Sequence, residues 1–494
     1  MKIIKNILWI SCLSILFHSC MNLTREDYTE IYPENFFQNE NDLKLATNAL
    51  YSAFGTNWSG FYCSDRYGYH VFTEMTTDAL NCTWGWEWDA LHLHQWYETK
   101  SGGEMDIFYT SYARYNFLST ARNTTREIEK SPVNDDIKRE YAAEARALRG
   151  WMGLYLYDLF GPVPVASDEV LDNPQEKVYL PRLSEEEYEK FMEDDLLQAI
   201  NDLPEIAATR GRMTKGAARM ILLKYYMIKK EFSKAEKIAR DLLAMEGRGY
   251  NLQNDYNYIF SKEGIGNNEI ILSVPCNVNY MPNYWLAHAI PDDYPYPIAN
   301  AQLWGAYVIP WDFMDTFESP ADERLKNIVT SYTNKNGSLV TRGVGKLSMG
   351  AIPIKYGVDN EMVGTAIGID VVVYRFSDVL LTLAECINEN TGNPTSEAIE
   401  LVNRVRRRAK IEELSTSATV SKQAFNDAIL LERGHEFYAE GLRRQDLIRH
   451  GKYIGSAQSR PGNQTADYKV RFPIPVTFIT ESKDSIVQNP GYRQ

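Results

Sequence analysis

Residues Asp135 to Pro164 leave this chain little freedom in what it can fold into. Apolar side chains fall at Tyr141, Ala142, Ala145, Leu148, Met152, Tyr155, Leu156 and Leu159. Steps of one, three and four positions keep them on one stripe of a 3.6-residue helix. Lys138, Arg139, Glu140, Arg146 and Arg149 supply much of the remaining surface, and the small residues Ala142, Ala143, Ala145 and Ala147 admit a neighbouring helix closely. Gly161-Pro162 ends the helix and Pro164 favours an extended exit. A long packing helix of this kind requires partners of similar length.

Such partners recur along the chain. Asn41 to Phe54 and Met105 to Ile128 have helical spacing. Ser184-Glu185-Glu186-Glu187 has the form of a capping box ahead of Leu196, Ile200 and Leu203. Thr214 to Met227 and Ser233 to Met245 pair as a helical hairpin, with Ser233 and Glu236 again at capping spacing. That hairpin is about the length of a tetratricopeptide unit, roughly 34 residues. Two further pairs are Val373 to Asn388 with Ser396 to Arg408, and Ser421 to Gly441 with Arg443 to Gly451. The expected fold is mainly α: a tetratricopeptide-like helical-repeat scaffold with long irregular loops and a few short β segments. Residues 41–246 and 370–451 form the scaffold, and 247–369, rich in Gly, Pro, Asn and Tyr, form a loop-rich excursion with β-like runs such as Glu269 to Val274. The expected division is thus a single domain over 41–494.

The N-terminus reads as a secretion signal over residues 1–19. Lys2 and Lys5 precede the apolar run Ile7 to Phe17, which is too short to span a bilayer comfortably. Ser19-Cys20 then puts a small residue before a cysteine, as at the acylated cysteine of a bacterial lipoprotein. Phe17 and His18 depart from the usual small or aliphatic residues there. Residues 20–40 are the expected lipid-anchored tether and arm. Acylation at Cys20 would matter because each buried methylene contributes roughly 0.8 kcal/mol, and multiple chains give lasting attachment. No later segment is apolar enough to cross a membrane. The net charge of −14 opposes binding to phosphate backbones. Cys63, Cys82, Cys276 and Cys386 fit no zinc pattern. Cys63 and Cys82 either pair after export or remain buried thiols.

Ordered motifs carry a resemblance. Ala142-x-x-Ala145-Arg146-Ala147-Leu148-Arg149 with Gly161-Pro162-Val163-Pro164 comes first. Tyr374-Arg375-Phe376-Ser377-Asp378-Val379-Leu380-Leu381 with Ala384-Glu385, and Asn403 to Ala409, follow. Glu432-Arg433, Glu436, Glu440-Gly441, Arg443-Arg444 and Asp446-Leu447 precede Phe472-Pro473-Ile474-Pro475 and Asn489-Pro490-Gly491-Tyr492. Together they resemble the SusD/RagB family of outer-membrane lipoproteins, which capture nutrients for a partner TonB-dependent transporter. The resemblance implies a SusD-like, non-catalytic lipoprotein of polysaccharide utilisation at the cell outer membrane. It implies an oligosaccharide ligand, a TonB-dependent outer-membrane transporter as partner and a membrane contact through the lipid anchor. Glu432, Glu436 and Glu440 lie at four-residue intervals, so they are read as ion-pairing partners for nearby arginines rather than as catalytic groups.

Tryptophans mark where a ligand would sit. Trp84, Trp86, Trp88 and Trp96 fall in one window, and Trp285, Trp304 and Trp311 in another broken by Pro291, Pro295, Pro297 and Pro310. If extended, Trp84, Trp86 and Trp88 share a side; if helical, Trp84, Trp88 and Trp96 do. A pyranose packs its axial C–H face on such rings, while its hydroxyls seek amides, carboxylates and guanidinium groups. The expected ligand-binding residues are Trp84, Trp86, Trp88, Trp96, Asn81, Tyr284, Trp285 and Trp304. No cofactor, metal or catalytic residue is expected. His92-x-His94 lacks a third ligand, Gly343-x-Gly345 lacks a P-loop setting, and no nucleophile elbow occurs. Peptide capture is the alternative reading, and a surface glycoside hydrolase a more distant one, because carboxylate geometry is invisible in sequence.

Overall fold

The computed structural model describes residues 36–58, 60–96, 106–463 and 465–493. The leader, Cys20 and most of the tether lie outside them. The main helices are α1 (Glu40–Tyr51), α2 (Asn116–Lys130), α3 (Asp135–Phe160), α4 (Glu185–Asp202), α5 (Lys215–Lys229) and α6 (Phe232–Leu243). After the excursion come α7 (Phe376–Thr391), α8 (Ser396–Arg408), α9 (Lys422–Phe437) and α10 (Arg443–Arg449). Each helix from α2 to α6 packs on the next in sequence. Helix α6 then packs directly on α7, so the stack continues across the excursion, and α7 contacts both α8 and α9. Nearest-neighbour packing of this kind defines a helical-repeat scaffold.

Helix α3 carries the stack. Asn134 caps it, accepting from the Asp136 N–H at 2.9 Å, and Asp135 and Asp136 complement the helix dipole. The close approach of α4 occurs at Gly150 and Gly153: a Cβ there would lie 2.7 Å from Leu196 and 2.8 Å from Met192. Gly161, at φ 77°, turns the chain out of the helix. Arg182 then donates to the Phe160 and Pro162 carbonyls, each at 2.7 Å, satisfying groups the helix leaves open.

The Ser184 capping box forms as the sequence implies. Three local expectations change. Met105 to Ile128 is broken by a 3₁₀ turn at Ala113–Tyr115. Ser233 lies inside α6, and its hydroxyl contacts Asn390 instead of capping. Val373 to Arg375 belongs to a strand, where its β-branched residues pair across a sheet.

Among the described residues eight short strands lie mostly in the excursion: β1 (Asn81–Cys82), β2 (Ile270–Val274), β3 (Tyr307–Pro310), β4 (Ile328–Val329), β5 (Tyr332–Thr333), β6 (Leu339–Val340), β7 (Gly350–Pro353) and β8 (Val371–Arg375). They pair antiparallel as β1-β3-β7-β4, β2-β8 and β5-β6. The β1–β3 pairing brings residues near 82 beside residues near 307, and so positions the site below.

Excursion and scaffold are joined by buried ion pairs. The Arg375 guanidinium, 0% exposed, donates to Glu440 at 2.8 Å, to Glu269 at 2.9 Å and to Glu436. Arg408 reaches Glu269 and Glu436, and Arg324 reaches Asp322, Glu432 and Glu436. Helix α9 ends at Phe437, so Glu440 joins this cluster from the following turn, where Ala439 is left-handed at φ 60°. The four cysteines among the described residues are free and buried; Cys63 and Cys82 remain thiols, and burial pushes each up to about 12. Among the described residues no helix is long and apolar enough to cross a membrane.

Candidate functional site

Three segments converge on one surface. The turn around Gly60 is closed by the Gly60 N–H donating to Asn57 O at 2.6 Å, and it presents Trp58. Ser64 ties this loop to the excursion: its hydroxyl donates to Asn283 Oδ1 at 3.2 Å and accepts from the Tyr284 N–H, while its carbonyl accepts from Tyr307 Oη at 2.6 Å. The Thr83 N–H donates to Ala306 O at 2.9 Å, and the Trp304 N–H to Ala287 O at 2.8 Å. Backbone bonds therefore fix where the rings sit.

The Trp58 ring lies nearly parallel to Tyr284, with centroids 5.1 Å apart and planes at 19°. It meets Trp304 at 5.8 Å and 28°. His288 lies beneath, meeting Trp304 edge-on at 4.8 Å and Trp84 at 5.6 Å. Tyr284 and His288 share a face because they stand four positions apart across the short helix Trp285–Ala289. Burial lowers the His288 imidazole below its ordinary value, against the opposing effects of the Tyr284 carbonyl and Asp65. It is thus neutral at pH 7, and the floor of the surface carries no charge. Above it, Trp58 is 52% exposed and Trp84 43%, with Tyr284 and Trp304 half-buried. Beside the rings, Arg66 and Glu87 pair at 2.8 Å and bridge the first two segments. The arrangement offers apolar ring faces next to a guanidinium and a carboxylate.

Trp86 stands out from this surface, 90% exposed. Its backbone is at φ 57°, ψ −121°, a region that costs a non-glycine residue about 1–3 kcal/mol. An exposed indole held at such a cost points to a contact made outside the chain. Trp86→Gly is expected to raise unfolding stability by about 1 kcal/mol, because relief of strain exceeds the added chain entropy. The same change is expected to weaken ligand binding. Paired urea-unfolding and binding titrations check the opposed signs; lower stability with unchanged binding would contradict the assignment.

Of the eight expected ligand residues, Trp84, Tyr284 and Trp304 come together here and Trp86 stands alongside. The other four are corrected by burial. Trp88 packs edge-on to Tyr307 beneath Trp84. Trp96, 1% exposed, donates its indole N–H to Tyr492 Oη at 2.8 Å and packs on Phe472. Trp285, also 1% exposed, donates to Pro353 O at 2.9 Å. Asn81 sits in β1, its side-chain oxygen accepting from the Cys82 N–H. They support the surface without presenting a face. Trp58 and His288 were not anticipated. A lone tryptophan among the turn residues Asn57, Ser59 and Gly60 was the available signal for the first, and i+4 spacing from Tyr284 for the second. His94 is spent on Thr76 O and Thr465 Oγ1.

A helical-repeat scaffold bearing a loop-borne aromatic surface is the class these observations define. The family model of the SusD family matches residues 313–492. A SusD-like protein of Bacteroides ovatus is 25% identical, over 91% of this chain and 83% of its own length. The starch-binding protein SusD of Bacteroides thetaiotaomicron is 25% identical over 88% and 86% of the two chains. The solved structure of surface glycan-binding protein A from Bacteroides thetaiotaomicron in complex with laminarihexaose superposes with a TM-score of 0.73. Its identity is 21%, and the match covers 92% of this chain and 100% of that one. The chain is thus similar to SusD-family proteins, through the family model over its C-terminal part and through SusD-like relatives over most of its length.

Proposed function

We propose that the protein is a non-catalytic glycan-binding lipoprotein, anchored through Cys20 at the outer membrane. It captures oligosaccharides and delivers them to a partner TonB-dependent transporter. The observation that carries this reading is the neutral, exposed ring surface of Trp58, Trp84, Tyr284 and Trp304 beside the Arg66–Glu87 pair. Its shape and chemistry suit pyranose faces and hydroxyls. Relatives named for starch and glycan binding support the same class of ligand. Delivery to a transporter rests on the family resemblance, and the lipid would keep the protein beside its pore.

Stacking on two to four rings at about 0.5–1.5 kcal/mol each gives modest affinity, suited to capture and release. The test is a glycan and peptide array on the leaderless protein, followed by product analysis of every bound compound. Binding of at least one oligosaccharide with no cleavage is the expected result. Binding of peptides alone, or release of shortened glycans, would overturn the reading.

A further inference from the structure

A cavity of about 820 Å³ lies away from the ring surface. It opens between α2, the segment 164–180 and residues 478–486. Such a volume falls in the range that holds a small organic ligand, roughly 300–1,000 Å³. One wall is Asn116, Ser119 and Asn123, spaced three and seven positions apart and so on one face of α2. Amide and hydroxyl side chains of this kind both donate to and accept from vicinal hydroxyls.

Two ammonium groups converge on another wall. Lys177 Nζ lies 5.2 Å and Lys483 Nζ 4.7 Å from the centroid of the Tyr179 ring. Neither has a carboxylate partner among the described residues. Hydrogen bonds from Lys177 and Lys483, and then their charge, lower the Tyr179 phenol below its ordinary value. The turn carrying Lys483 has two successive non-glycine residues in left-handed conformation, Lys483 at φ 50° and Asp484 at φ 63°. Glu176 and Glu481 also line the cavity. Glu481 lies towards Tyr115, whose phenol is raised by burial and then by that carboxylate.

We propose that this groove is a second saccharide site, separate from the ring surface, for a glycan bearing a carboxylate or sulfate group. Lys177, Lys483 and the Tyr179 hydroxyl hold the anionic substituent, and Asn116, Ser119 and Asn123 hold ring hydroxyls. The site does not need the ring surface to be occupied. Together the two would let one long chain engage twice, raising its apparent affinity without new contacts.

The experiment uses leaderless protein carrying Trp58→Ala and Trp304→Ala, which weakens the first surface. Calorimetry is run with trigalacturonate, a sulfated galactose trisaccharide, neutral laminarihexaose, a hexaglutamate peptide and sodium sulfate, each at low and high salt. At least one anionic trisaccharide is expected to bind, and the one that does tells carboxylate from sulfate. Adding Lys177→Met and Lys483→Met is expected to weaken it tenfold or more and to flatten its salt dependence. Asn116→Ala with Asn123→Ala is expected to weaken it severalfold. All four positions lie at the surface, and an unchanged thermal melt verifies folding. Failure of both anionic trisaccharides to bind overturns the proposal, as does binding indifferent to the lysine changes. Equal affinity for hexaglutamate or for sulfate alone also overturns it, by assigning the groove to peptide or to an adventitious ion only. Laminarihexaose binding to the unmodified protein reports separately on the ring surface, so the two readings fail independently.

Discussion

Arg375→Ala is expected to lower unfolding stability by about 3–5 kcal/mol, the largest effect of any single substitution considered for this chain. Removing the guanidinium leaves Glu269, Glu436 and Glu440 buried with fewer cations, and the uncompensated charges, rather than the lost hydrogen bonds, dominate the cost. The effect should spread beyond the local site. Glu269 leads into β2, Arg375 ends β8, and Glu436 lies on α9, so the substitution loosens the excursion from the scaffold. Urea unfolding of the two proteins measures it, and a loss under about 1 kcal/mol would contradict a bridging role. The same network sets an acid limit. Burial pushes the Glu436 carboxyl up, but Arg408, Arg375 and Arg324 outweigh burial and hold it well below the usual carboxylate range. Its contribution is therefore complete above the unfolded carboxylate value of about 4.3 and is lost progressively as pH falls below it. The acid arm of the stability profile should flatten in the Arg375 variant.

Trp58→Ala with Trp304→Ala is expected to weaken glycan binding by about 5- to 150-fold, from two stacking contacts of roughly 0.5–1.5 kcal/mol each. Both rings are at least partly exposed, so the melting temperature should change little. Trp285→Phe should behave in the opposite way. It forfeits the indole hydrogen bond to Pro353 O inside the core, lowering stability while leaving the ring surface in place. Calorimetry with the best glycan from the array, alongside thermal melts, separates the two patterns. Intact binding in the double variant together with impaired binding in folded Trp285→Phe would place the site elsewhere.

Much of the scaffold was legible because its signals are local. The α3 stripe, the Ser184 box and the Gly161 stop each involve residues within a few positions of one another. The ring surface was legible only as two windows. Within them, alternation and helical spacing gave competing groupings, and neither matches the surface that forms. Contacts remote in sequence made the selection: Trp96 is claimed by Tyr492, Trp285 by Pro353, and Trp88 by Tyr307. Trp58 had no second tryptophan near it in sequence to advertise it. It acquires its partners only because Ser64 binds the 283–284 segment.

Sequence alone determined the helical-repeat architecture and the ion-pairing character of the Glu432-to-Glu440 region, since periodicity, caps and charge order are properties of neighbouring residues. Tertiary structure alone decided which aromatic rings face outward, which of the described thiols stay unpaired and where the groove beside α2 opens. Those outcomes depend on burial, and burial is set by segments that meet only after the chain has folded.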